Sequence, residues 1–124
     1  MSKIVIKNGE ISGSSQITIK SPLVIDNTFI RKTRIVTGSC DILKTDNILL
    51  VNATTADIFI TLPNAALCSV GTEFVIKQID NSDYEVYINC SAGNKIDTDN
   101  SVSLFNQGDV VTIICGDSQN WYTI

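Results

Sequence analysis

Histidine is absent from this chain, and that single gap removes the commonest proton shuttle of enzymes: neither a Ser-His-Asp nor a Cys-His relay can be assembled. Long apolar runs are missing as well. None approaches the roughly 20 residues of a membrane-spanning helix, and the opening MSKIVIKNGE lacks the unbroken apolar stretch of a secretory leader. The expectation is no membrane insertion and no signal peptide. Four cysteines, Cys40, Cys68, Cys90 and Cys115, stand far apart with no CxxC pair, so zinc-knuckle and dithiol redox spacings are absent. Without a leader they read as reduced thiols, although spacing alone leaves their redox state open. No dinucleotide fingerprint, phosphate-cradling loop or EF-hand spacing occurs. The reading is a chain without cofactor or metal.

Ala, Glu and Arg, which favour helices, are scarce, whereas Ile, Val, Thr and Asn are plentiful, a balance suited to half-buried strands. A chain of 124 residues makes one domain, alone or with a small appendage. It buries roughly 65–70% of its unfolded surface and needs no staple. Charge is uneven. Residues 1–44 carry seven bases (Lys3, Lys7, Lys20, Arg31, Lys32, Arg34, Lys44) against three acids, a balance of +4; residues 45–124 carry two bases against ten acids, −8. The acidic part repels nucleic acid, and the basic RKTR (31–34), with no aromatic partner, reads as a solvated edge. The break near residue 45 marks a candidate boundary between an N-terminal segment, 1–44, and a main domain, 45–124.

Within 45–124, apolar and polar residues alternate with period two. In DIFITLP, Ile58, Ile60 and Leu62 share a face opposite Phe59 and Thr61. In TEFVIKQID, Phe74, Ile76 and Gln78 oppose Val75, Lys77 and Ile79. In DYEVYINC, Tyr84, Val86, Ile88 and Cys90 oppose Glu85, Tyr87 and Asn89. DVVTIIC (109–115) is apolar on both faces, as in a central strand. Turn formers separate these runs, and PNAALCSVG (63–71) is the one place for a helical turn. Six or seven short strands predict an all-β antiparallel sandwich or jelly-roll-like fold, with Ile58, Ile60, Leu62, Ile76, Val86, Ile88 and Trp121 in its core. The acids Asp57, Asp80, Asp83, Asp97, Asp99, Asp109 and Asp117 fall in the turns, where aspartate caps backbone N–H groups. Composition leaves Ser-Lys or paired-carboxylate chemistry open, but no motif points to it, and the expectation is not an enzyme. In 1–44, KIVIKNG, SQITIK and PLVIDNTFI alternate too. They either complete the sheets of the main domain or form a stalk whose apolar residues need other chains; the charge break favours the stalk.

One ordered set of landmarks is more specific. DNILLVN is followed by ITLPNA (60–65), Gly71 before FVIKQID (74–80), VYIN (86–89), Gly93 with KID (95–97), Leu104, VVTII (110–114), Gly116-Asp117 and NWYTI. Over about residues 45–124 this resembles the C-terminal head domain of tail-fibre and fibre proteins of bacteriophages and of giant-virus-associated viruses. Two turns depart from the pattern: Thr98 stands where glycine is common, and Gly116-Asp117 replaces Asp-Gly. The resemblance implies a trimeric β head on a thinner stalk at the virion surface. Implied partners are two further copies of the chain, other virion proteins through residues 1–44, and a host surface component such as a glycan.

If a stalk enters before residue 46 and strands alternate in direction, the loops 52–57, 81–83 and 106–109 share the far tip. The expected recognition residues are then Asn52, Thr54, Thr55, Asn81, Ser82, Asp83, Asn106, Gln107 and Asp109. An extra strand at 95–97 would break this parity. Two other roles stay open: a purely structural spike whose tip binds nothing, and, more distantly, a cellular carbohydrate-binding module. An aromatic pair on one exposed face would favour the module, and Trp121-Tyr122 is the only candidate pair in the sequence. Adjacent strand residues point to opposite faces, so Trp121 reads instead as the latch of the last strand.

Overall fold

Period-two alternation becomes ten strands in the computed structural model, which describes residues 18–124. They are β1 (Thr33–Val36), β2 (Cys40–Asp41), β3 (Ile48–Val51), β4 (Ile58–Thr61), β5 (Glu73–Gln78), β6 (Val86–Asn89), β7 (Lys95–Ile96), β8 (Ser101–Leu104), β9 (Val110–Cys115) and β10 (Asn120–Thr123). A 3-10 turn, Ala65–Leu67, occupies the segment where a helical turn is expected. Asn64 caps it, its side chain accepting the Ala66 N–H.

The strands form a six-stranded sheet, β1-β3-β5-β9-β10-β7, and a four-stranded sheet, β2-β4-β6-β8. Their order corrects the antiparallel expectation. Through β6 the chain alternates between the sheets, so each strand returns beside its predecessor in the same direction. β1, β3 and β5 are parallel, as are β2, β4 and β6. The strand laid in the opposite sheet serves as the long return connection that parallel neighbours require. Antiparallel pairing enters only where β8, β9 and β10 complete the sheets. Both sheets are therefore mixed.

β7 is a second departure. It pairs in parallel with β10 for two residues and then reverses at Asp97, whose φ of 54° lies in the left-handed region. Aspartate tolerates this conformation better than most residues, and the Asp97 carboxylate is further held by the N–H and hydroxyl of Thr123. Ile96 and Asp99 exchange backbone hydrogen bonds of 2.8 Å across the reversal. The strand that breaks the parity count is present, but the chain turns back before traversing the molecule.

Inward side chains of both sheets form one contiguous core. It contains every residue expected there: Ile58, Ile60, Leu62, Ile76, Val86, Ile88 and Trp121 are all buried. Burial alternates along β4, β5 and β6 as the sequence pattern does. Tyr84 departs from its run: it precedes β6 and is exposed.

The outward faces differ in chemistry. On the six-stranded sheet, Ile35, Leu50, Lys77 and Val110 form one cross-strand row; Ile48, Val75 and Thr112 form the next. Ile114 and Tyr122 extend this mostly apolar surface. On the four-stranded sheet the rows are Phe59–Tyr87–Ser103 and Asp41–Thr61–Asn89–Ser101.

KIVIKNG and the start of SQITIK lie outside the described residues. Residues 18–32 have no regular structure, and Leu23, Val24, Phe29 and Ile30 are exposed; the strand read in PLVIDNTFI is absent. Thr33–Asp41, by contrast, pair into both sheets, so the charge break at residue 45 falls inside the paired unit. The two arginines of RKTR serve that unit. Arg31 meets Asn47 and Glu73, and Arg34 forms a two-pronged pair with Asp46 at 3.2 and 2.7 Å. The hydrogen bond to Asp46 raises the Arg34 pKa above its ordinary value. The Asp46 side chain is 1% exposed. Arg34→Ala strands a buried carboxylate, and a loss of about 2 kcal/mol is expected in urea unfolding, less than for a fully buried pair because Arg34 is partly exposed. No helix among the described residues is long and apolar enough to cross a membrane.

Candidate functional site

Because β3 and β5 are parallel, the loops that follow them leave the six-stranded sheet at the same end. Loop 37–39, after β1, joins them there, and the Asn52 N–H donates to Val36 O. β8 runs antiparallel to β6, which brings 105–109 to that end also: Gly108 N–H donates to Gln78 O, and Gln78 N–H to Asp109 O. Loops 52–57, 79–85 and 105–109 thus form one cluster, the tip, opposite the end at which the chain enters β1. The loops meet not because strands run antiparallel but because the chain alternates between sheets.

Asp80 is the hub of the tip. Its carboxylate accepts the Ala53 N–H at 2.7 Å, the Ser82 N–H at 3.1 Å, the Ser82 hydroxyl at 2.5 Å and the Gln78 amide at 3.4 Å. Burial alone would push its pKa up, but these donors outweigh it and hold the group at about 2. Gln78, wholly buried, lies in register with Val51 and also donates to Tyr84 O. A polar chain therefore links the core to two tip loops. The sequence marks Asp80 as a turn former and places Gln78 on the face of Phe74 and Ile76 without a role; the signal is an amide at an inward position of an apolar strand, two residues before an acid.

The nine expected recognition residues all lie at the tip but divide in two. Ser82 is bound to Asp80. Asn52 accepts the Thr54 N–H, Gln107 donates to Ile79 O, and Asp109 accepts the N–H groups of Phe105 and Asn106. Those two N–H groups hold Asp109 below the usual carboxylate range. Thr54, Thr55, Asn81, Asp83 and Asn106 are exposed. Two aromatics not singled out for recognition join them, Tyr84 and Phe105, 41% and 52% exposed. Together they offer hydroxyls, amides, one carboxylate and two ring surfaces.

At the opposite end, a groove of about 380 Å³ lies between Ile42–Lys44 and Thr61–Asn64, and one of about 280 Å³ between Ala92–Asn94 and Ser118–Gln119. Among the described residues, no group of three or more Cys, Asp or Glu is arranged to hold a metal ion. Trp121 and Tyr122 make no common platform, since Trp121 is buried and Tyr122 faces outward. The chain matches no known protein family, and no curated protein matches it.

Proposed function

We propose that this chain is the head of a virion fibre that attaches to a host surface component, a glycan in the first instance, without catalysing a reaction. The observation that carries the reading is the gathering of three polar loops at the end opposite the entry of the N-terminal segment. A head held by that segment presents those loops to a target. A jelly-roll-like trimer fits the apolar outer face of the six-stranded sheet. Ile35 and Val110 are 65% and 55% exposed there, a surface that a second copy would cover. The segment ahead of β1 then holds the head to other virion proteins.

Light scattering is expected to give the mass of three chains. Val110→Glu, which buries a charge in the proposed contact, is expected to shift that mass to one chain while the circular dichroism spectrum is retained. On a glycan array, Asn81→Ala with Asp83→Ala is expected to weaken binding at least about tenfold, as loss of charged or bidentate hydrogen bonds does. A monomeric wild-type protein counts against the fibre head. A blank array favours the second reading, a structural spike, which draws on the internal use of Ser82, Asn52, Gln107 and Asp109.

A further inference from the structure

The aromatic pair that would mark a carbohydrate-binding surface is present, on a face the sequence does not point to. Phe59 and Tyr87, opposite each other on parallel strands β4 and β6, have ring centroids 5.0 Å apart and planes inclined by only 10°. That separation nearly equals the spacing of adjacent strands, about 4.8 Å, so the rings stack along the cross-strand row. The next positions in the row are small. Ser39, whose hydroxyl accepts the Phe59 N–H, lies on one side, and Ser103 is opposite Tyr87 on the other. Serines therefore leave the outer face of each ring open, and Phe59 is 49% exposed.

The adjacent row, Thr61, Asn89 and Ser101, adds hydroxyls and an amide beside the rings. At the tip, four polar side chains are spent on their own loops; these three make no side-chain hydrogen bond among the described residues. Charge narrows the choice further. Strands β2, β4, β6 and β8 contain no lysine or arginine, while Asp41 lies on the same face and Asp57 and Glu85 flank Tyr87. The hydrogen bond to Glu85 pushes the Tyr87 pKa up to about 12.

We propose that the outer face of the four-stranded sheet binds a neutral pyranose, its C–H face on the open side of Phe59 and its hydroxyls toward Thr61 and Asp41, the members of the polar row on that side. Apolar ring stacking supplies the contact and the polar row supplies orientation. Asp41, Asp57 and Glu85 form no ion pair among the described residues, and Arg34 reaches only the Asp41 backbone, so the acidic balance of this face disfavours sialylated or sulfated sugars. An exposed aromatic pair is also the mark of a carbohydrate-binding module; the proposal takes its ligand class from the attachment reading, on which it rests, and assigns the sugar to a different surface. If copies associate through the apolar six-stranded face, this face stays outward.

The test is titration of the full chain, followed by amide NMR shifts, with methyl glycosides of glucose, galactose, mannose and N-acetylglucosamine, and with sialyllactose as the anionic arm. Shifts are expected at residues 39–41 and 59–61 with at least one neutral glycoside and smaller ones with sialyllactose. Phe59→Ala, at an exposed position, is expected to weaken that binding about tenfold. Ser103→Tyr, which lengthens the stack and covers the open side of Tyr87, is expected to leave the Phe59 side able to bind and so checks against general unfolding. Shifts confined to 52–57, 81–83 and 106–109 would overturn this surface and leave the attachment reading intact. No shift with any glycoside overturns the saccharide site, and attachment then rests on its own array and mass measurements. A change of oligomeric mass in Phe59→Ala, with glycoside binding unaltered, would make the face a contact between copies and overturn the proposal too.

Discussion

Trp121→Ala is expected to cost about 3–5 kcal/mol in equilibrium denaturant unfolding, enough to remove much of the stability of a domain this size. Trp121 is the largest of the fully buried side chains. It lies in β10, opposite Cys115 of β9 and Ile96 of β7, and its ring meets that of Phe74 at 5.7 Å with a tilt of 40°. Burying 150–250 Å² at about 25 cal/mol/Å² gives an upper bound of about 4–6 kcal/mol. The cavity left by alanine would lie where three strands meet, and β10 has no other fully buried side chain. Trp121→Phe provides the contrast. It keeps most of the ring and removes an indole N–H that has no partner among the described residues, so a loss of no more than about 2 kcal/mol is expected. If Trp121→Ala left the unfolding midpoint unchanged, the last strand would not be latched by this residue.

How much of this architecture was legible in the residues depends on which kind of information was needed. Facing was legible: the alternation in DIFITLP and DYEVYINC separates Ile58, Ile60, Val86 and Ile88 from Phe59, Thr61, Tyr87 and Asn89, and burial divides them the same way. The capping use of aspartates was legible for most: Asp57, Asp80, Asp97, Asp109 and Asp117 accept backbone N–H groups, whereas the Asp83 and Asp99 side chains accept none among the described residues. Pairing direction was not, because parallel and antiparallel strands share the same period of two. That ambiguity hid the Phe59–Tyr87 stack, whose members meet because β4 and β6, not consecutive in the chain, are neighbours in a parallel register. β7 was hidden by a different cause, since it depends on one residue, Asp97, adopting a left-handed backbone. The tip residues show the limit of composition. Asn, Ser and Asp in a loop look alike whether their polar atoms face solvent, as at Asn81, or are spent within the fold, as at Ser82.

The second large effect concerns Asp80. Asp80→Ala is expected to cost about 3–4 kcal/mol, because it leaves the Ala53 and Ser82 N–H groups and the Gln78 amide without their shared acceptor in a largely dry site. Asp80→Asn should cost about 2–3 kcal/mol: its oxygen can still accept from Ala53, but its NH₂ then faces the donors of Ser82 and Gln78. The two variants should also differ from wild type in acid. The Asp80 pKa is about 2 in the fold against 3.8 ordinarily, so the folded state binds fewer protons than the unfolded state between those values. Its stabilisation is fully present above about pH 4 and is lost as pH falls toward 2. The wild type is therefore expected to lose on the order of 1–2 kcal/mol from this group over that window, after allowance for screening near the surface. Asp109 and Asp117, also held below the carboxylate range by hydrogen bonds, titrate in the same direction in all three proteins. Urea unfolding from pH 2 to 6 should show a shallower acid limb for Asp80→Asn than for wild type. Parallel limbs would mean that Asp80 is not the carboxylate that ties the tip loops to the core, and that the tip is held by the backbone ladder alone.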